Sequence, residues 1–249
     1  MTLIPRRGAE SAECMKDLNK KKRDMNICII PARGGSKRIP NKNIRDFCGK
    51  PMIAYSIEAA KASGVFDRII VSTDSEEIAA VAKEQGAEVL MRSAELADDH
   101  TTAETVFNHI LEQLKKETDN LEAACLLFAT APFVQPEILQ DGLKKLKETG
   151  ATTSFPVAAF PYPIQRALRI NETGALEMFQ PENREARTQD LPEAYYDAGK
   201  FYWADVSKYE GVIYAPDAVP VILPPHLVHD IDTPEDWKRA ELIFQALEK

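Results

Sequence analysis

From residue 26 to about residue 147, short apolar runs alternate with stretches whose apolar residues recur at helical spacing. That alternation rules out most folds. It predicts strands over 26–30, 68–72, 87–91 and 123–130, with helices over 52–63, 75–85, 102–116 and 136–147 between and after them. Pro136 falls in the first turn of the last of these, where its missing N–H costs nothing. Serial β-α units of this length form a mostly parallel sheet covered by helices. Ligands in such sheets sit at the carboxyl ends of the strands. Three turns are expected at that edge: the loop after the first strand, Thr73-Asp74, and Thr130-Ala131-Pro132-Phe133.

The pattern changes after residue 151. Strands are expected over 151–160 and 200–205, separated by a proline- and turn-rich stretch over 161–191. The region from about 155 to 210 reads as an antiparallel insertion, serving as a dimerisation arm that closes over the substrate. Strand character returns over 220–223 and 227–230. Thr233-Pro234-Glu235-Asp236 then opens a final helix, with threonine as N-cap, proline at the first position and acids in the first turn. Residues 1–24 hold seven basic and four acidic side chains and few large apolar ones, so they read as a flexible arm with no catalytic duty. One domain, 25–249, remains.

The formal charge of −8 argues against a nucleic-acid partner. No apolar run approaches the roughly 18 residues of a membrane span, and no apolar core follows Arg6 and Arg7, so a cytoplasmic protein is expected. Cys14, Cys28, Cys48 and Cys125 lack metal or redox spacing and read as reduced thiols. His226 and His229 are close enough to share a site, although solvated or core histidines are commoner.

On this acidic body, residues 32–50 carry Arg33, Lys37, Arg38, Lys42, Arg45 and Lys50 against Asp46 alone. The loop Pro31-Ala32-Arg33-Gly34-Gly35-Ser36-Lys37-Arg38 follows a buried strand directly. Adjacent glycines let backbone N–H groups approach phosphate oxygens, arginine binds them in pairs, and lysine adds a movable point charge. A local cationic loop on an acidic protein suits a small anion. The spacing is neither GxxxxGK[ST] nor GxGxxG, which disfavours an NAD-dependent dehydrogenase. In an extended segment Asp230 and Asp232 share a face, where two carboxylates, phosphate oxygens and waters make an octahedral magnesium site; alternatively they are solvent-facing acids before a helix. Asp98-Asp99, near Arg92, stays ambiguous, and Glu76-Glu77 suits a helix first turn. Arg187, Gln189, Tyr195, Tyr196, Asp197 and Lys200 either hold a polar, carboxylated sugar or form a subunit interface.

Ala32-Arg33-Gly34-Gly35-Ser36-Lys37 with Lys42-Asn43 resembles the signature of the CMP-sialic acid synthetases (acylneuraminate cytidylyltransferases). The likeness continues through Ile70-Val71-Ser72-Thr73-Asp74, Arg92-Ser93-Ala94-Glu95-Leu96-Ala97-Asp98-Asp99, Arg187-Thr188-Gln189-Asp190-Leu191-Pro192 and Asp230-Ile231-Asp232-Thr233-Pro234. It implies a Rossmann-like three-layer nucleotidyltransferase fold and transfer of CMP from CTP to the anomeric hydroxyl of a nine-carbon α-keto acid sugar, with release of pyrophosphate. It implies Arg33, Lys37 and Lys42 as catalytic cations. Arg33, Gly34, Gly35, Ser36, Lys37, Lys42, Asn43, Arg92, Thr101 and Thr130 would hold the nucleotide. Gln165, Arg166, Arg187, Gln189, Tyr196 and Asp197 would hold the sugar, completed across a homodimer. Asp230 and Asp232 would hold Mg2+.

Two departures bear on the sugar. N-acetylneuraminate synthetases often read Leu-Gln-Pro-Thr-Ser-Pro where this chain has Leu127-Phe128-Ala129-Thr130-Ala131-Pro132. Tyr196-Asp197-Ala198-Gly199 replaces the usual arginine followed by Asn-Gly. These segments and Phe160-Pro161-Tyr162-Pro163-Ile164-Gln165-Arg166 resemble the branch acting on pseudaminic acid, a sugar with acetamido groups and a terminal methyl that fits a more aromatic pocket. The alternatives are the same reaction on N-acetylneuraminate or legionaminic acid, and, in another class, a nucleotide-binding regulator without turnover. The Asp230/Asp232 pair argues against the regulator.

Overall fold

The computed structural model describes residues 23–93, 96 and 101–247. Most of the expected N-terminal arm, and Asp98-Asp99, lie outside these. In chain order the elements begin with β1 (Met25–Pro31), β2 (Asp46–Phe47), β3 (Lys50–Pro51), α1 (Met52–Ser63), β4 (Arg68–Thr73) and α2 (Glu76–Glu84). There follow β5 (Glu88–Met91), α3 (Ala103–Glu117), β6 (Leu121–Leu127), α4 (Pro136–Thr149) and β7 (Thr153–Ala159). After β8 (Leu168–Ile170), β9 (Leu176–Met178) and β10 (Tyr195–Asp197) come β11 (Phe201–Asp205), β12 (Val219–Ile222) and α5 (Pro234–Leu247).

The central sheet runs β10-β7-β11-β6-β1-β4-β5, with β12 on β7. Strand β1 lies between β6 and β4, parallel to both, so Ile29 is opposite Leu126 on one side and Ile70 on the other. Both faces of these strands are covered, which is why they read as continuous apolar runs. Ile53 and Ile57 of α1, Ile78 of α2 and Leu139 and Leu143 of α4 pack on one face with Cys28, Ile30 and Leu127. Val106, Phe107, Ile110 and Leu111 of α3 pack on the other with Ile27, Ile29 and Leu126. Each such large side chain, fully buried, contributes about 1.5–3 kcal/mol. The result is a helix–sheet–helix sandwich.

Local chemistry sets the element ends. Ser75 and Thr102 cap α2 and α3 by accepting from the backbone N–H of Ile78 and Thr105. Pro136 occupies the first turn of α4. At Gly142 the helix approaches β11 so closely that a Cβ would lie 2.8 Å from both Phe201 and Trp203. At α5, Thr233 Oγ1 accepts from Asp236 N at 3.2 Å, and the Asp236 carboxylate accepts from Thr233 N at 2.9 Å. Donation from the Thr233 hydroxyl at 2.8 Å, and then from the Thr233 N–H, lowers the pKa of the Asp236 carboxyl.

Two expectations change. The segment over 227–230 is not a strand: Pro225–Leu227 forms a 3-10 turn, because Pro224 and Pro225 supply no N–H to a ladder. The antiparallel strands expected within an insertion belong to the main sheet, where β11 pairs with both β6 and β7. What stands off is the stretch over 161–194, which carries the small β8–β9 hairpin. No described helix is long and apolar enough to cross a membrane.

Candidate active site

A cleft of about 450 Å³ opens where the parallel strands end, and the loop after β1 forms one wall. Gly34 allows that loop to pass Ser75: a Cβ there would sit 3.0 Å from the Ser75 Cβ, and Gly34 N donates to Asp74 Oδ1 at 3.0 Å. At Gly35 an added Cβ would meet no protein atom within 4 Å, so the bare backbone there faces open space. Asn43 closes the loop by donating to the Arg33 carbonyl at 2.9 Å. Asn41, at φ 53°, adopts the left-handed turn that brings Lys42 round into the cleft. Buried Ile39 and Phe47 anchor the far end of the loop against Ile231 and Trp237.

Of the residues expected to hold a nucleotide, Arg33, Ser36, Lys37, Lys42, Asn43, Arg92, Thr101 and Thr130 line this cleft. Gly34 and Gly35 lie in the same loop without lining it. The first turn of α3 contributes Thr102, Ala103 and Val106, so a helix N-terminus adds its partial positive charge to the wall. Arg92 follows β5 with its side chain only 6% exposed, and its guanidinium lies 3.6 Å from Asp74. Burial lowers its pKa, with Asp74 opposing, and its Nε has no hydrogen-bond partner among the described residues. Asp74 thus ties the glycine loop and the arginine to one carboxylate.

The acidic pair divides. Asp232 reaches the cleft and pairs with Arg38 Nη2 at 2.9 Å and Lys42 Nζ at 3.2 Å. Asp230 is exposed and does not line the cleft. Ile231 between them is buried, which leaves both acids on the outward side of the segment. Among the described residues no three metal-type side chains cluster. Asp232 at the cleft and Asp230 outside it are hard oxygen donors, the kind magnesium takes one or two of from protein when phosphates and waters complete its shell.

Two residues of this region have roles that the sequence does not specify. Arg38 was legible only as one more loop cation. Lys200 belongs to the polar-aromatic cluster that the sequence offers as a sugar site or a subunit interface; it is 3% exposed just before β11, where its ammonium donates to the His229 carbonyl. Burial lowers its pKa to about 8; Asp230 opposes the shift, Lys42 adds to it and Asp197 opposes it. The clue was the run Phe201-Tyr202-Trp203 immediately after it, which marks a buried strand. His229 bonds the His226 carbonyl, and among the described residues the two join no metal-type cluster.

None of the residues expected to hold a sugar lines the cleft. Gln165 donates to the Pro192 carbonyl at 3.0 Å, and Arg166 reaches Thr188 at 3.4 Å. Arg187 is exposed and paired with Asp190 at 2.8 Å; the Tyr196 ring meets Phe160 edge-on. Gln189 is exposed in the adjoining turn. Asp197 is gripped by two phenols, those of Tyr202 and Tyr214. Tyr162, Leu168, Ile170, Leu176 and Phe179 of the same stretch are all exposed.

Residues 27–204 match the family model described as Cytidylyltransferase. A pseudaminic acid cytidylyltransferase of Campylobacter jejuni is 42% identical over 224 residues, spanning 89% of this chain and 97% of that protein. A CMP-N,N'-diacetyllegionaminic acid synthase of Legionella pneumophila is 32% identical over 235 residues, 88% of this chain and 96% of that protein. Among solved structures, a CMP:2-keto-3-deoxy-manno-octonic acid synthetase complexed with CTP superposes with a TM-score of 0.63 at 17% identity, covering 90% of this chain and 100% of that one. At that identity the likeness bears on the fold alone.

Proposed function

The chain belongs to the cytidylyltransferase family, and on that premise we propose that it transfers CMP from CTP to pseudaminic acid. The anomeric oxygen attacks the α-phosphorus of CTP, its proton passes to solvent water, and the bond to the oxygen bridging to the β-phosphate breaks, which releases pyrophosphate. The cleft carries this reading: five cations, Arg33, Lys37, Arg38, Lys42 and Arg92, line one pocket at the strand ends of an acidic protein. A triphosphate is the polyanion of matching size, and charge accumulating on the leaving pyrophosphate is stabilised by the same groups. Arg92, Thr101 and Thr130 complete the nucleotide's surroundings.

Mg2+ belongs to the proposal, held by Asp230 and Asp232, and when bound it would neutralise phosphate charge and favour ionisation of the attacking hydroxyl. Lys42 and Arg38 hold Asp232 in place before any metal arrives. The sugar is assigned to Gln165, Arg166, Arg187, Gln189, Tyr196 and Asp197. The exposed apolar side chains of the 161–194 stretch support a homodimer in which that stretch of one protomer covers its partner's site. The reading places the protein in the cytoplasm, alongside its CTP. Pyrophosphate release from CTP on addition of pseudaminic acid and Mg2+ is the expected result. No release with any nonulosonic acid would overturn the proposal.

A further inference from the structure

Asp197 ends β10 with its carboxylate almost fully engaged. Oδ2 accepts from Tyr202 Oη at 2.7 Å and from Tyr214 Oη; Oδ1 accepts from Gly199 N at 2.8 Å. A carboxylate offers about four acceptor positions, so the protein fills three and leaves one for a further donor. Tyr202 comes from β11, the next strand in the chain, and is buried. Tyr214 is different: it is 62% exposed and arrives from the loop over 206–218. The bond to Asp197, ahead of partial burial, raises the Tyr214 phenol to about 12, so at neutral pH it is a donor.

That loop is fastened to α3. Glu104 Oε1 accepts from Ile213 N at 2.8 Å. Asn108 donates to the Gly211 carbonyl at 2.9 Å and accepts from Tyr209 Oη at 2.8 Å. Tyr209 and Ile213 are buried beside Phe107 of the same helix. The opposite side of the helix start, through Thr102, Ala103 and Val106, lines the cationic cleft. A short covalent and hydrogen-bonded path therefore joins the cleft wall to Asp197: Ala103, Glu104, Ile213, Tyr214.

We propose that Tyr214 is a positioning residue for the acceptor sugar, holding Asp197 in register with the wall of the nucleotide cleft so that its remaining acceptor position takes an O–H or acetamido N–H of the sugar. The inference rests on the assignment of Asp197 to the sugar site. A phenol this exposed buries little area of its own, and its partner is a charged group already held at both oxygens. Loss of the hydroxyl therefore shifts the carboxylate more than it weakens the fold.

The test is steady-state kinetics of Tyr214→Phe, Asp197→Asn and the double variant, each with sugar varied at saturating CTP and the reverse. Tyr214→Phe is expected to raise the sugar KM about fivefold, the effect of one hydrogen bond, with the CTP KM within about twofold. The same change in the Asp197→Asn background should then have no effect. A purely structural tyrosine would instead lower the melting temperature and weaken both substrates alike, which overturns the proposal. If Asp197→Asn leaves the sugar KM unchanged, the sugar-site assignment itself is wrong. If Asp197→Asn raises it and Tyr214→Phe does not, the assignment stands and the positioning role is refuted.

Discussion

Replacing Lys200 with methionine should stabilise the protein at neutral pH, although it removes a cation from beside the acidic segment. An ammonium whose pKa falls from the ordinary 10.5 to about 8 on folding carries a charging cost on the order of 3 kcal/mol, at roughly 1.4 kcal/mol per tenfold. Methionine has nearly the same length, avoids that cost and loses the bond to the His229 carbonyl, worth about 1.5–3 kcal/mol for a charged donor. The net expectation is a gain of about 1 kcal/mol, or about 2–4 °C in Tm for a chain of this size. The pH dependence is the sharper signature. Below pH 8 both folded and unfolded states hold the lysine proton, and the full cost applies. Between pH 8 and 10.5 only the unfolded state binds it, so the stability of the natural protein rises with pH relative to the variant. Above that window the cost is gone, and the variant, lacking the hydrogen bond, becomes the less stable. Urea unfolding of both proteins from pH 7 to 10.5, with divalent metal chelated, reads the difference directly. A variant about 2 kcal/mol or more less stable at pH 7, or a difference that does not change with pH, would refute the reasoning.

Asp232→Ala should abolish formation of the CMP-sugar and lower Mn2+ affinity at least tenfold while leaving the circular dichroism spectrum unchanged; near-normal turnover would remove Asp232 from the metal site. Asp74→Asn keeps an acceptor for Gly34 N but takes the counter-charge from Arg92. It should raise the CTP KM about tenfold, the scale of a charge-assisted contact, with the sugar KM unchanged; an unaltered CTP KM would show that Arg92 needs no such partner.

The elements over 26–149 were legible because caps and periodicity mark them locally. Ser75, Thr102, Pro136 and Thr233 sit at helix starts as their chemistry dictates. The cationic loop was legible because its charges and glycines are contiguous. Long-range pairing was not. Nothing in the sequence of β11 says that it inserts between β6 and β7, since antiparallel partners are chosen by the packed sheet and not by the strand alone. The alternation that puts Asp230 and Asp232 outward was readable, but the cleft takes only Asp232, because Arg38 and Lys42 arrive from almost two hundred residues away. The burial of Lys200 was not legible for the same reason: it depends on the His229 carbonyl and on the strand that follows it. The grip of Tyr214 on Asp197 depends on a loop fastened to a helix a hundred residues upstream, and no local pattern announces it.

Substrate identity is the central claim, and a competition tests it most directly. With CTP and Mg2+ saturating and equimolar pseudaminic acid and N-acetylneuraminate present together, the CMP-sugars formed are separated and weighed by mass spectrometry. CMP-pseudaminic acid should dominate by at least tenfold, and its formation should stop when CTP is replaced by ATP. Predominance of CMP-N-acetylneuraminate would contradict the account.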